Sequence, residues 1–194
     1  MKTYLFALLI LLLPGCSNNA PAKEVAKNNV AAEQEKLNFF PVTTYLKGQI
    51  YSIKEKGLTP VKYTTINNRT DSVMIKFDQL NELLAEFLHP EIDSASLIPF
   101  FTETKFLDQT IDAFTFTYEP KSKIPDSIQL MHWDVYIEPE TGKVKRIYIL
   151  KKIEGSKTLQ LTWQSNKWCK TITIGINAAG ASTIEKEEKI SWDY

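Results

Sequence analysis

From Val42 onward the large apolar residues fall at Val42, Tyr45, Leu46, Ile50 and Ile53 and stop at Gly57, which is the spacing of one face of an α-helix. The pattern predicts an amphipathic helix at the start of the folded part, directly after Phe39-Phe40-Pro41. Two β-prone runs follow, Val61 to Ile66 and Ser72 to Phe77, on either side of Asn67-Asn68-Arg69-Thr70, a turn-rich quartet that reads as a hairpin. Helical spacing returns at Leu80, Leu83, Leu84 and Phe87, with Asp78 as the expected cap and Pro90 as the end. A second short helix is predicted from Asp93 to Phe100.

The period then changes to two. Phe114, Phe116 and Tyr118 alternate with Thr, Met131, Trp133, Val135 and Ile137 alternate with His132, Asp134, Tyr136 and Glu138, and Leu159, Leu161 and Trp163 alternate with Gln and Thr. Trp168 to Ile176 supplies a further strand after the Ser165-Asn166-Lys167 turn, and Ile190, Trp192 and Tyr194 make the last. The expected class is therefore α+β: an N-terminal amphipathic helix, a small hairpin and one or two helices packed on a mainly antiparallel, meandering sheet.

One register can be derived. Glu138-Pro139-Glu140-Thr141-Gly142-Lys143 reads as a type I turn followed by a bulge, with Gly142 in the left-handed region. This places Val135 opposite Ile147 and Trp133 opposite Ile149 on one face, and Asp134 opposite Tyr148 and Tyr136 opposite Arg146 on the other. Apolar and polar side chains then segregate, as a half-buried hairpin requires.

The beginning of the chain has a different pattern. After Met1-Lys2-Thr3, Tyr4 to Leu13 is an apolar run too short to span a bilayer as a helix, and it is followed by Leu13-Pro14-Gly15-Cys16. This quartet resembles the lipobox of bacterial lipoproteins. The resemblance implies a signal peptide over 1–15, cleavage after the small Gly15, and a diacylglyceryl group on the Cys16 thiol. Acyl chains on one residue would anchor the protein to a membrane without ready release. Residues 17–20, Ser-Asn-Asn-Ala, carry neither the aspartate of inner-membrane retention nor an acidic surface-export cluster, so the expected address is the outer membrane, facing the periplasm. Residues 16–36 are rich in Asn, Ala, Lys, Glu and Gln and read as a solvated tether with a reach of roughly 25 Å, or alternatively as a loose helix over Ala22 to Glu35. Residues 37–194 then form a single extracytoplasmic domain.

Composition narrows the function. Apolar residues make up 43% of the 194, enough for a core without metal or disulfide staples. Lys plus Arg and Asp plus Glu both number 23, and no predicted face is uniformly basic, so nucleic acid is not an expected partner. The two cysteines are Cys16 and Cys169, and a lipidated Cys16 leaves Cys169 unpaired within the chain.

Catalytic material is scarce. His89 is read as a helix-end cap beside Pro90, and Cys169, between Trp168 and Lys170, as a strand residue packed in the sheet. Two histidines and one remaining cysteine leave no metal site to expect, and seven glycines include no phosphate-binding loop, so no cofactor is expected. The densest set of hydrogen-bonding side chains is His132, Asp134, Tyr136, Arg146 and Tyr148 on the polar hairpin face. That set is the candidate ligand-facing surface, weighed against a plain solvated face with an Asp134 to Arg146 diagonal pair. Residues 133–144, with their acidic-Pro-x-Thr-Gly-Lys turn, resemble the strand-turn-strand of PepSY-type extracytoplasmic modules. The resemblance implies a regulatory or inhibitory role rather than catalysis. Asp71-Ser72-Val73, Asp93-Ser94-Ala95 and Asp126-Ser127-Ile128 each resemble the O-glycosylation motif of secreted Bacteroidetes proteins, with Ser72, Ser94 and Ser127 as acceptors, although Asp-Ser is also favoured at turns and caps.

The expected function is a membrane-anchored, non-catalytic binding or accessory module that meets the membrane through its lipid and another envelope protein or a small ligand through its fold. The alternatives are a periplasmic carrier or chaperone for lipid or outer-membrane protein, with a cavity lined by Phe114, Phe116, Trp133 and Trp163, and a hydrolase using Cys169 or His132.

Overall fold

The computed structural model of the chain describes residues 39–92, 95–122, 124–154 and 157–192. The described residues belong to one compact unit, Leu37–Tyr194. Its elements are helix α1 (Val42–Glu55), strands β1 (Val61–Ile66) and β2 (Arg69–Met74), helices α2 (Leu80–Leu83) and α3 (Ala85–Leu88), and strands β3 (Phe101–Asp108), β4 (Ala113–Pro120), β5 (Leu130–Ile137), β6 (Val144–Ile153), β7 (Lys157–Gln164), β8 (Trp168–Ile176) and β9 (Ser182–Ser191).

All nine strands form one sheet in the order β2-β1-β9-β8-β7-β6-β5-β4-β3, and every pairing is antiparallel. The α+β expectation is overturned. The protein is sheet-dominated, with one helix of 14 residues and two of four among the described residues. Three local features account for the difference. The hairpin of β1 and β2 is part of the main sheet, because β1 pairs with β9, so the earliest and latest strands are neighbours. Residues 101–108, which show neither clean alternation nor helical spacing, form the edge strand β3. The helical pattern after Asp78 breaks at Leu84, whose φ of −103° and ψ of 8° separate α2 from α3. Asp78 lies inside a 3-10 turn (Phe77–Gln79) rather than capping a helix, and only a 3-10 turn (Ala95–Leu97) is described where the second helix was expected.

Other elements follow local chemistry. Along α1, Val42, Leu46, Ile50 and Ile53 are buried, and Gly57 ends the helix at φ +62°. There Leu58 N donates to Ile53 O at 3.2 Å and Gly57 N to Lys54 O at 3.0 Å, satisfying two terminal carbonyls. Asn67 and Asn68, at φ 48° and 62°, make the two-residue β1–β2 turn that right-twisted strands favour. In the β5–β6 turn Gly142 sits at φ +66° and Gly142 N donates to Glu138 O at 2.9 Å. The register there pairs Trp133 with Ile149, Asp134 with Tyr148, Val135 with Ile147 and Tyr136 with Arg146, as the turn geometry required.

The two faces of the sheet differ. On the core face, Phe116, Val135, Ile147, Trp163, Cys169 and Ile190 form one row across six adjacent strands. The buried residues of α1, α2 and α3 belong to the same core cluster, and Phe87 meets Trp163 ring to ring at 5.5 Å. On the opposite, open face the parallel row is Thr117, Asp134, Tyr148, Thr162, Lys170, Lys189 and Tyr63.

Candidate functional site

The open face is most crowded where β4, β5 and β6 meet. Asp134 is 8% exposed, and its carboxylate accepts from three side chains. Thr117 Oγ1 donates to Oδ1 at 2.7 Å, His132 Nε2 lies 2.9 Å from Oδ2, and the Tyr136 hydroxyl donates to Oδ2 at 3.1 Å. His132 and Tyr136 reach the same carboxylate because residues two apart on a strand share a face. Tyr148, directly across from Asp134, holds its ring 6.2 Å from the His132 ring.

Arg146 does not form the expected diagonal pair with Asp134. Its guanidinium lies over the Tyr136 ring, 4.2 Å from the centroid, in a cation–π contact. The physical reason is that Asp134 is already satisfied, while Tyr136 is the direct cross-strand partner of Arg146. The structure thus brings His132, Asp134, Tyr136, Arg146 and Tyr148 together and adds Thr117. The alternation of β4 contains Thr117, but the register of β4 on β5 depends on residues 121–129, where no turn motif fixes the loop length.

The electrostatics follow from this geometry. The hydrogen bond to Asp134 is the main cause that raises His132 above the ordinary histidine value, with burial opposing and Glu119 assisting. Burial would raise Asp134, but the bonds from His132, Thr117 and Tyr136 and the nearby imidazolium hold it below the usual carboxylate range. Burial and the Asp134 charge push the Tyr136 phenol up to about 12, with Arg146 opposing. The raised His132 stabilises the fold below the ordinary histidine value and loses that contribution as pH rises through its folded value. The lowered Asp134 contributes above the ordinary carboxylate value and loses it as pH falls through its own. The pair is therefore most stabilising between about pH 4 and 6.5. In an Asp134→Asn variant burial is left as the main influence, so the His132 imidazole is expected to titrate at or below the ordinary value. A ring-proton NMR titration checks this, and an unchanged His132 value contradicts the pairing.

Beside this cluster lies an open cleft of about 300 Å³, lined by Ile111, Tyr136, Lys145, Arg146 and Gln164. Lys145 Nζ donates to the Ile111 carbonyl at 3.0 Å. Thr115, the cross-strand neighbour of Tyr136, is 2% exposed and its Oγ1 has no hydrogen-bond partner. Burying an unsatisfied hydroxyl costs about 1–3 kcal/mol, and valine has nearly the same shape. Thr115→Val is therefore expected to raise stability by about 1 kcal/mol in urea denaturation, and a clear loss would show that the hydroxyl is needed.

The remaining candidates lie elsewhere. Cys169 is 2% exposed on the core face, between Trp163 and Ile190, and burial pushes its thiol well up. His132 is on the opposite face, so the two cannot act together. His89 follows α3, but the last carbonyls of that helix are met by Lys151: its ammonium takes Glu86 O at 2.8 Å and His89 O at 2.6 Å. Trp133 and Trp163 are fully buried in the core, while Phe114 is 43% exposed at its margin, so these rings do not line a common cavity with Phe116. Ser72 is exposed inside β2, not at a turn, and its backbone N–H donates to the Asp71 side chain at 2.8 Å. Ser127 is exposed in the turn that Ile128 N closes onto Pro125 O at 2.9 Å. Ser94, Cys16 and the tether lie outside the described residues. Among the described residues no helix is long and apolar enough to cross a membrane, and no three His, Cys, Asp or Glu side chains gather as metal ligands would.

In comparisons with known proteins, no family model, no curated protein and no solved structure matches the chain.

Proposed function

We propose that the protein is a membrane-anchored envelope lipoprotein whose folded part is a non-catalytic binding module, taking another envelope protein or a small ligand on the open sheet face. The observation that carries the reading is the convergence of six polar or aromatic side chains from three adjacent strands on the face opposite the core. Such a rigid, hydrogen-bonded array is preorganised, so little ordering entropy is lost when a partner docks. Catalysis has less support: His132 is engaged by Asp134 with no cysteine on its face among the described residues, and Cys169 is sealed in the core. The carrier reading has less support, because Trp133 and Trp163 are packed in the core and Phe114 is exposed at its margin.

The anchoring half rests on Leu13-Pro14-Gly15-Cys16. Intact mass and membrane fractionation of the wild type beside Cys16→Ala, in a Bacteroidetes host, test it. The wild type is expected in the outer membrane, cleaved before Cys16 and carrying acyl chains, and the variant soluble or uncleaved. A soluble, lipid-free wild type would sink the anchor. Extra mass in hexose-sized steps would add glycosylation at Ser72, Ser94 or Ser127.

A further inference from the structure

Arg146 and Lys145 have no carboxylate partner among the described residues. They line the same cleft of about 300 Å³ with Tyr136, Gln164 and Ile111, and no acidic residue lines it. Asp134, on the same face, already accepts from Thr117, His132 and Tyr136. Arg146 is also held in place: the Tyr136 ring supports its guanidinium at 4.2 Å, and the Tyr136 hydroxyl is fixed in turn on Asp134. Lys145 is steered to the same spot by the Ile111 carbonyl.

We propose that this cleft binds the oxyanion group, a carboxylate or phosphate, of the ligand taken by the open face; the assignment rests on the binding-module reading. A planar guanidinium offers paired N–H donors matched to carboxylate and phosphate oxygens, and the Lys145 ammonium adds a second charge. Asp134 acts through Tyr136 as a positioning residue. It sets the platform on which Arg146 lies and does not touch the ligand. A volume of about 300 Å³ is at the small end of ligand sites, enough for an oxyanion and a body the size of a single sugar ring. The row continues from Arg146 to Gln164 and Trp168 across the next two strands, which places an amide beside the anion site and an indole ring one strand further on.

The chain has two arginines, Arg69 and Arg146, so the side-chain Nε–Hε NMR signals report the site and an internal control at once. The mature lipidated protein, in a neutral maltoside detergent at fixed ionic strength, is titrated with inorganic phosphate, with glucuronate and with glucose. Phosphate or glucuronate is expected to shift the Arg146 signal saturably at millimolar concentration and leave Arg69 nearly still, while glucose leaves both unchanged. Lys145→Gln is expected to weaken binding about tenfold, and Arg146→Gln to abolish the shifts of the Gln164 side-chain amide. Asp134→Asn should broaden the free Arg146 signal before any anion is added, which a site independent of Tyr136 would not show. Vesicles of phosphatidylglycerol against phosphatidylcholine separate the sources. Saturation by phosphatidylglycerol alone assigns the oxyanion to a lipid headgroup, and saturation by the free anions assigns it to a soluble ligand. Parallel, unsaturating shifts of both arginines would overturn the proposal as general screening. Equal binding of glucose and glucuronate would overturn the anion assignment and leave the binding face standing.

Discussion

Trp133→Ala is expected to lower the unfolding free energy by about 4 kcal/mol, the largest loss from any single substitution considered, because deleting a large buried ring forfeits its transfer energy and leaves a cavity. The position is fully buried, and its neighbours are rings drawn from distant parts of the chain. Tyr118 stacks on Trp133 at 4.5 Å with planes 7° apart, Phe101 tilts against it at 4.7 Å, and Phe39 meets it edge-on at 5.9 Å. The indole joins β3, β4 and β5 to the segment before α1, so little can move in to fill the space. Trp133→Phe separates volume from polarity. The Trp133 Nε1 is buried without a partner, so phenylalanine removes an unsatisfied donor as well as part of the ring. Its expected loss is only about 1 kcal/mol. Urea denaturation of both variants checks the pair, and equal losses would mean that the indole nitrogen has a partner.

Lys151→Met should cost about 3 kcal/mol, although the two side chains have similar length and the position is 2% exposed. Lys151 stands in the core row between Leu130 and Leu159, where an ammonium would be unfavourable without full pairing. It is fully paired: one proton goes to the Glu86 carboxylate and the others to the carbonyls of Glu86 and His89. The ammonium therefore ties the end of α3 to the sheet. Glu86 is 55% exposed at its side chain, so its carboxylate can turn to water when the lysine is gone. The two carbonyls cannot, and methionine fills the space that water would need. Glu86→Gln is accordingly expected to cost less than about 1 kcal/mol. A Glu86→Gln loss as large as that of Lys151→Met would shift the weight from the carbonyls to the ion pair.

The sequence made the site more legible than the fold around it. The β5–β6 register followed from one turn, because Gly142 and the flanking alternation leave a single pairing that segregates apolar from polar side chains, and that register placed five residues on one face. Helix α1 was readable because its apolar spacing is continuous and Gly57 stops it. Three features lay beyond local pattern. The pairing of β1 with β9 joins residues more than a hundred positions apart, and no local spacing encodes it. Strand β3 lies at the sheet edge, where Phe106 and Leu107 are exposed, so burial never imposed a clean alternation on it. The helical spacing after Asp78 was real, but the backbone leaves helical angles at Leu84 and splits the segment into α2 and α3. At the site, the partner of Arg146 was misread because opposite charges looked like the natural pair, whereas three hydroxyl and imidazole groups had already satisfied Asp134.

The claim that the open face is the working surface is tested most directly in intact cells, by photo-crosslinking from the lipidated full-length chain. A benzophenone side chain is placed at Tyr148 on the open face and, separately, at Glu82 in α2. A discrete adduct is expected from position 148, reduced when Arg146→Gln is added, and no adduct from position 82. Adducts from position 82 alone, or none from position 148, would contradict it.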